Sequence, residues 1–544
     1  MGAYGLWRSS CLAEVFPGRQ PDRKSWSAGM IVEGRDAKGA LRETVDVVII
    51  GSGCGGATAA KHLAEAGLSV VILEQGGYFT AGRGDLDQLS DNMLARIDGG
   101  RGLGTSVNGE IALMYGNCVG GASVHYWADS WRLPEDRNAL YQSRGVSGHE
   151  VEVLAPIFEE IERDHNVHNA APHYRNRMNE FFIEGATKLG WHVEDVPQAR
   201  RGCVASGHCY QGCSYDAKQS QLVTYVPAAL KAGARLYADC RVIAIERDMK
   251  TGRASGVRAV FVDSASGQPT DATLEVKARA VVLAAGGYGS PAVWLQTGLP
   301  NGSGQAGKNL FTNPNPYLYA LYDEPVYMWQ NIPAAVGTSD FRLARYEDGV
   351  YREGGYLLHP NQLQPEFLAA TLPGFGNSHA SLMAELPQIG GAVSWIDDEH
   401  GGEVRLNADG LPEYHYKLRG DDILKLRDAM KKQAMLLFAS GAREVLVPDI
   451  RGTRLRGTDE IGLLDEIDVE NGAILFGAPH PAGALRMGDD PATSVVASTH
   501  EAHEVPGLYV ADPSVFPLPP SVDPSLTIMA FSVVAARHIQ NALL

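Results

Sequence analysis

The sequence has few cysteines, no excess of basic residues and no long hydrophobic run. Its 544 residues include 7 cysteines, an odd number too small for a disulfide framework and typical of a reducing compartment. Lys and Arg number 47 against 64 Asp and Glu, so the net charge of −17 favours repulsion of nucleic acid and of anionic membranes. We therefore expect a cytoplasmic protein without a nucleic-acid partner.

Export and membrane signals are also missing. Arg8 lies where the apolar core of a secretory signal would be. The longest uncharged stretch, 280–307, is interrupted by glycine and proline and carries polar side chains, which excludes a spanning helix. We expect no membrane span, and the sequence leaves the oligomeric state open.

Glycine is the residue in excess, at 62 of 544, and it marks the first motif. Gly51, Gly53 and Gly56 form GxGxxG between a predicted buried strand, VDVVII, and a predicted helix, a pattern typical of a turn around a pyrophosphate. Glu74 ends the next predicted strand, where a carboxylate can hold ribose hydroxyls. The pattern favours a dinucleotide-binding βαβ unit over an ordinary turn, but it does not separate FAD from NAD.

Three later segments extend the motif into a pattern that covers most of the chain. They are GNCVGGASVHYW at 116–127, AAGGYGSPAVWLQTGL at 284–299, and HPAGALRMG with GLYVADPSVFP and SVDPSLTIMAF near the end. With GSGCGG, these segments resemble the glucose-methanol-choline (GMC) flavoprotein oxidoreductases from about residue 45 to 544. The segment CYQGCSYDAKQSQLVTYVPAAL is most similar to the long-chain alcohol oxidase and bacterial dehydrogenase branch.

The resemblance implies FAD and an α/β fold with two domains. A Rossmann-like FAD-binding domain would adjoin a separate α+β substrate-binding domain that contains an antiparallel sheet. Together with the predicted elements, this divides the chain into an N-terminal arm (1–44), FAD-binding parts one (45–150), two (201–310) and three (471–544), a helical cover (151–200) and a substrate-binding cap (311–470).

Two candidate catalytic residues follow from the resemblance. His480 opens HPAGALRMG, where the family has the base that takes the hydroxyl proton, and a neutral imidazole suits that role near pH 7. Asp523 replaces the Asn or His usual at the second position. An ionised carboxylate accepts hydrogen bonds but would oppose negative charge on an alkoxide, whereas a protonated one could donate. The alternative for Asp523 is a plain helix N-cap before Pro524.

Further positions match the cofactor-binding residues of the family. Gly120, Gly121 and Ser123 would let the backbone approach the flavin, Val242 would meet the adenine, and Asp512 would lie near the pyrophosphate and ribityl chain. A plain loop, a core valine and a turn aspartate are the respective alternatives.

His125 suggests a covalent link to the flavin. The local segment SVHYW is similar to the pyranose oxidases, in which a histidine in such a segment is joined to the cofactor. We keep both a covalent histidyl-FAD bond and a histidine that only packs near the ring system.

The resemblance implies oxidation of an alcohol to a carbonyl by hydride transfer to FAD, with His480 as general base. The alternatives are a sugar or glycoside oxidase with FAD on His125, and a flavin-containing lyase on the same fold. The electron acceptor could be oxygen, a quinone or a cytochrome. Cap residues that could line the pocket are Trp329, Tyr356, His359, Phe375 and Trp395.

A metal site is the alternative interpretation of the spacing C-x5-C-x3-C formed by Cys203, Cys209 and Cys213. Structural zinc usually has paired C-x2–4-C ligands and a fourth donor, so we expect no metal.

Overall fold

The computed structural model describes residues 30–100, 104–470 and 472–544. Most of the predicted arm lies outside the described residues. Its last part, 30–44, contributes strand segments to the main sheet.

The helices and strands of the described residues are numbered in chain order. The α-helices are α1 (Cys54–Glu65), α2 (Ser90–Ile97), α3 (Glu135–Ser143), α4 (Val151–Asp164), α5 (Arg177–Leu189), α6 (Tyr225–Lys231), α7 (Gly286–Gln296), α8 (Pro365–Thr371), α9 (Asn377–Ala384), α10 (Asp421–Ala439) and α11 (Ser525–Leu543). The strands are β1 (Ile31–Val32), β2 (Ala40–Ile50), β3 (Val70–Leu73), β4 (Ile111–Leu113), β5 (Val167–Asn169), β6 (Glu194–Asp195), β7 (Pro197–Ala199), β8 (Arg235–Tyr237), β9 (Cys240–Arg247), β10 (Ala254–Val262), β11 (Pro269–Leu283), β12 (Lys308–Leu310), β13 (Tyr317–Leu321), β14 (Val336–Gly337), β15 (Arg345–Glu347), β16 (Val350–Glu353), β17 (Tyr356–Pro360), β18 (Ile389–Ile396), β19 (Gly402–Leu406), β20 (Pro412–His415), β21 (Glu444–Leu446), β22 (Arg454–Leu455), β23 (Phe476–Ala478) and β24 (Leu508–Val510).

The main sheet has eight strands in the order β1-β8-β3-β2-β11-β10-β9, with β24 beside β11. The run 45–50 in β2 is almost wholly apolar because parallel strands flank it on both sides and most of its side chains are buried. The predicted βαβ unit is confirmed as β2, α1 and β3, with β2 and β3 parallel. The strand β11 pairs in parallel with β2 along most of its length, antiparallel with β10 in its first part, and parallel with β24 at its end.

A second sheet lies in the predicted cap and is antiparallel, as expected. Its order is β17-β18-β13-β21-β22, and α10 packs across it. The apolar side chains of this half form a core cluster separate from that of the main sheet. The fold class predicted from the sequence is thereby confirmed: one α/β domain and one α+β domain, each with its own sheet.

The predicted helical cover, 151–200, divides between the two halves. The apolar side chains of α4 belong to the core of the main sheet, and α4 packs against α11. Those of α5 belong to the core of the cap, where α5 packs against α10. None of the helices in the described ranges combines the length and apolarity required to cross a bilayer.

The first helix of the main sheet meets the last helix through a glycine. A Cβ at Gly55 would lie 1.7 Å from the carbonyl oxygen of Ala511 and 3.0 Å from Oγ of Ser532, which is in α11. Only a residue without a side chain allows α1 to approach both segments. This contact holds the end of the chain against the nucleotide turn.

We expect Gly55→Ala to lower the free energy of unfolding by at least about 2 kcal/mol, because overpacking forces the backbone to shift. Denaturant unfolding followed by tryptophan fluorescence measures the effect. The control is Gly462→Ala, where an added Cβ meets no atom within 4 Å. Equal unfolding midpoints for the two variants would contradict the close approach of α1 to Ala511.

Candidate active site

His480 lies where the two halves meet, two residues after β23, and its ring is held from both sides. Its Nδ1 is 2.7 Å from Oδ1 of Asn313, and its Nε2 is 3.3 Å from Oδ1 of Asp523. Asn313 follows β12 at the edge of the cap, and Asp523 comes just before α11. Three distant parts of the chain therefore fix this one imidazole.

The amide of Asn313 determines the tautomer of His480. Its Nδ2 donates to the carbonyl oxygen of Ile396, so its Oδ1 is the atom that faces the ring. An amide oxygen only accepts, which makes Nδ1 of His480 the donor. Nε2 is therefore the atom that can take up or release a proton.

Asn313 is itself held by a buried carboxyl group. Oδ1 and Oδ2 of Asp398 accept from the backbone N–H groups of Asn313 and Thr312 at 3.1 and 3.0 Å, and Tyr416 donates to Oδ2 at 3.0 Å. Burial raises the pKa of Asp398 to about 7. The backbone of Asn313 has a φ of 52°, a left-handed conformation that asparagine tolerates well.

The carboxyl group of Asp523 contacts His480 and does not cap the helix, so the N-cap alternative is wrong. The N-cap position of α11 is Pro524, and no side chain makes the capping hydrogen bond. Burial alone would raise the pKa of Asp523, but the hydrogen bond and charge of His480 lower it overall. We infer that Asp523 is ionised where it contacts the ring of His480.

An apolar wall surrounds this pair. Trp395 lies nearly parallel to the His480 ring, with 6.4 Å between centroids and 16° between planes, and the buried ring of His359 packs against Trp395 at 4.7 Å. Both belong to the cap strands β17 and β18. The same apolar cluster contains Leu357, Val393, Trp395 and Val522, with Trp127, Trp131 and Tyr317 packed against it.

The other aromatic residues predicted to line the pocket lie elsewhere. Phe375 is 91% exposed, because it sits in the loop between α8 and α9. Tyr356 is buried and donates to Oδ2 of Asp428 at 2.7 Å, whereas Trp329 packs against Tyr327. Only Trp395 and His359, among the predicted pocket residues, contact the ring environment of His480.

Two glycine turns face each other above the ends of β2 and β3. A Cβ at Gly51 would lie 2.3 Å from the carbonyl oxygen of Ala284, and one at Gly56 would lie 2.0 Å from that of Gly51. A Cβ at Gly121 would lie 2.7 Å from Cα of Gly53. Backbone thus approaches backbone at the N-terminus of α1, which fits a pyrophosphate-bearing dinucleotide such as FAD.

Glu74 and Ser123 stabilise these turns by hydrogen bonds. Oε2 of Glu74 accepts from the backbone N–H of Ser52 at 3.0 Å and from its Oγ at 2.7 Å, and Oε1 accepts from the N–H of Gly76 at 2.9 Å. Burial raises the pKa of Glu74. Ser52 Oγ in turn accepts from the N–H of Gly120, at 3.0 Å, and Ser123 Oγ donates to the Gly120 carbonyl at 2.6 Å. Glu74, Gly120 and Ser123, three of the predicted cofactor residues, therefore belong to one hydrogen-bonded group.

Asp512 ties the end of β24 to the start of α7. Its Oδ2 accepts from the N–H of Gly286 at 3.0 Å and from Ser290 Oγ, and its Oδ1 accepts from the N–H and Oγ of Ser514 at 2.9 and 2.6 Å. Burial raises the pKa of Asp512 above its ordinary value. Val242 lies on β9, partly buried, opposite Ala259.

His125 is buried just after the second glycine turn. Its Nδ1 is 2.5 Å from the carbonyl oxygen of Tyr210, which only accepts, so Nδ1 carries the proton and Nε2 has a lone pair. Nε2 is 3.7 Å from Oδ1 of Asp98. Burial lowers the pKa of His125, which keeps the ring neutral.

The three cysteines named above form no metal centre within the ranges that the structure describes, where no group of His, Cys, Asp and Glu has a metal-binding arrangement. Sγ of Cys209 instead accepts from the buried guanidinium of Arg200, at 3.1 Å.

The sequence analysis did not identify Asn313 or Asp129 as site residues. Asn313 lies 167 residues from His480, and only the fold brings the two together. Asp129 is 2% exposed, and the charge of Asp523 acts on it. A weak signal existed for both, since asparagine beside Pro314 and an acid within an apolar aromatic segment are unusual.

Comparisons with known proteins find relatives over most of the chain. The family model described as GMC oxidoreductase matches residues 46–315 in its N-terminal part and 398–532 in its C-terminal part. An uncharacterised GMC-type oxidoreductase of Mycobacterium tuberculosis is 30% identical over 497 residues, covering 90% of this chain and 75% of the relative. A long-chain-alcohol oxidase of Arabidopsis thaliana is 25% identical, covering 93% of this chain and 69% of the relative. The crystal structure of pyridoxine 4-oxidase from Mesorbium loti has a TM-score of 0.66 at 17% identity, covering 90% of this chain and 98% of that one.

We expect Gly121→Ala to reduce the amount of flavin that the purified protein retains, because the new methyl group would meet Cα of Gly53 at 2.7 Å. The ratio of flavin to protein absorbance measures it. The control is Gly109→Ala, which carries the same left-handed backbone strain, about 1 kcal/mol, but has no atom within 4 Å of the added Cβ. Equal flavin content in the two variants would show that the Gly53–Gly121 contact does not shape the cofactor site.

Proposed function

The chain belongs to the GMC oxidoreductase family, and we propose that it oxidises an alcohol to a carbonyl compound with His480 as the general base. FAD is the cofactor, and the facing turns at Gly53 and Gly121 leave backbone rather than side chains where it would lie. The observation that carries the proposal is the tautomer of His480, whose Nε2 is free to exchange a proton while Nδ1 is bound to Asn313.

The protein's own groups handle the proton. Nε2 of His480 takes the hydroxyl proton of the substrate, and the resulting imidazolium pairs with the carboxylate of Asp523. Asn313 keeps the ring in one orientation throughout, because its amide oxygen accepts from Nδ1 in both protonation states. Bound FAD would supply the acceptor for the hydride of the carbinol carbon, which carries both electrons of the oxidation.

The wall around His480 supports an alcohol with an apolar body. Trp395 and the cluster around Leu357, Val393 and Val522 present indole and aliphatic surface beside the base. Burying such surface against an alkyl or aryl substrate is favourable by about 25 cal/mol per Å². His359 adds a polar ring to this wall where it packs against Trp395.

We expect His480→Ala to slow anaerobic reduction of the yellow flavin by an alcohol by at least about a hundredfold, since general-base catalysis is typically worth 10²–10⁴. Stopped-flow absorbance with a panel of aliphatic, aryl and sugar alcohols measures the rate. His168→Ala, a change of an exposed histidine in the short strand β5, is the matched control.

Two outcomes would contradict the proposal. A loss below about tenfold in His480→Ala would remove His480 as the base. Turnover of a substrate while the wild-type flavin stays oxidised would instead indicate a lyase.

A sugar or glycoside oxidase with FAD joined to His125 is the second candidate. The lone pair on Nε2 favours it, because a neutral histidine with the proton on Nδ1 has the nucleophilic atom that such a bond requires. The neighbouring carboxylate of Asp98 would stabilise the positive charge that alkylation of the ring creates.

Acid precipitation tests this second candidate. A covalent bond predicts that the yellow colour stays in the protein pellet and that His125→Ala releases it into the supernatant. Colour in the wild-type supernatant would exclude the bond and leave alcohol oxidation with non-covalent FAD.

A further inference from the structure

Two carboxyl groups lie buried beside His480, and each has an oxygen atom without a partner. Asp129 is 2% exposed and Asp523 is 9% exposed. Among the described residues, Oδ2 of Asp129 and Oδ2 of Asp523 make no hydrogen bond. A buried polar atom without a partner is costly, so two such atoms on neighbouring side chains require an explanation.

The backbone brings the two residues together. Oγ of Ser525, the first residue of α11, donates to the carbonyl oxygen of Asp129 at 3.2 Å. Asp523 is two residues before Ser525, and its charge acts on Asp129. Asp129 and Asp523 are therefore neighbours across the hydrogen bond of Ser525.

A chain of side-chain contacts assigns the atoms of Asp129. Nε of Arg200 donates to Oε1 of Gln198 at 2.9 Å, and Nε2 of Gln198 donates to Oδ1 of Asp129 at 2.8 Å. Nε2 of Gln198 also donates to the carbonyl oxygen of Pro333, at 2.8 Å, which confirms the orientation of its amide. Oδ1 of Asp129 is therefore an acceptor, and any proton on this carboxyl group must be on Oδ2.

Electrostatics favours that proton. Burial, followed by the charge of Asp523, raises the pKa of Asp129 well above its ordinary value. By contrast, the hydrogen bond and charge of His480 lower the pKa of Asp523. Two buried carboxyl groups that repel each other do not both ionise readily, so the pair holds one proton.

We propose that Asp129 is a positioning residue that carries a proton on Oδ2 and donates it as a hydrogen bond to the free oxygen of Asp523. This single bond would satisfy both unpartnered atoms. It would also hold the carboxylate of Asp523 in place against His480, so that the pair keeps a constant charge during the reaction. The inference rests on the proposed role of His480 as the base.

The charged and titratable groups around the pair are few. Arg200, Cys209 and Tyr126 face Asp129, and His480 and His359 face Asp523. Arg200 is the only one of these that is a permanent cation, and it acts on Asp129 through Gln198. The proton on Asp129 is thus retained despite a cation two side chains away.

Infrared spectroscopy of the resting, FAD-loaded protein tests the proton without turnover. We expect the difference between the spectra of the wild type and Asp129→Asn to contain the carbonyl stretch of one protonated carboxylic acid. Asp449→Asn, a buried loop residue bound to Thr453, is the control, and its difference spectrum should lack this band. If the difference spectrum of Asp129→Asn also lacks the band, Asp129 is not a protonated group.

The pH profile of anaerobic flavin reduction tests the positioning role. Asp129→Asn keeps a donor and removes no charge, so the midpoint of the low-pH fall in rate should stay within about 0.3 unit of the wild type. Asp129→Ala removes the donor, so Asp523 would hold the imidazolium proton more tightly and the midpoint should rise by about one unit.

The opposite results are informative in different ways. A fall of the midpoint in Asp129→Asn would show that an ionised Asp129 had been neutralised, which overturns the proposal. Equal midpoints in the wild type, Asp129→Asn and Asp129→Ala would confine Asp129 to a structural role and also overturn it. Loss of the carboxylic acid band together with an inactive wild type would instead leave Asp129 protonated and refute only the proposed function.

Discussion

The contact of His480 with Asn313 and Asp523 is the constraint on which the site depends. The three residues come from the loop after β23, the edge of the cap and the start of α11, so the ring is correctly oriented only when both domains are in place. Asp398 extends this coupling, because it binds the backbone of Asn313 and of Thr312 from inside the cap. The orientation of this imidazole therefore depends on the position of the cap relative to the main sheet.

Much of the fold and part of the site could be predicted from the sequence. GxGxxG between an apolar run and a helix predicts β2, α1 and β3 because the physical requirements of that turn are local. His480 was found through a short motif. Asp523, one of its two partners, was also predicted, whereas Asn313 was not, because it is 167 residues away and its role depends on tertiary contact. The expectation for Phe375 failed for the same reason, since residue type alone does not tell an exposed loop from a pocket wall.

Buried carboxyl groups occur both at the glycine turns and beside His480. Asp512 and Glu74 have their oxygens bound by backbone N–H and hydroxyl groups, and burial raises the pKa of each. The pKa of Asp523 is instead lowered by its hydrogen bond and charge interaction with His480. The protein thus uses one side-chain type in two ways: to hold glycine turns in shape where a dinucleotide lies, and to hold charge where a proton moves.

The divided pairing of β11 has a consequence for how the chain matures. The last three paired residues of this strand, 281–283, pair with β24, which is synthesised more than two hundred residues later. In the same way, α1 packs against α11, the last helix to be synthesised. During synthesis the ribosome releases the early nucleotide turn long before its final neighbours exist. The nascent sheet must persist with an open edge, which makes early capture of the cofactor or a chaperone a natural safeguard against aggregation.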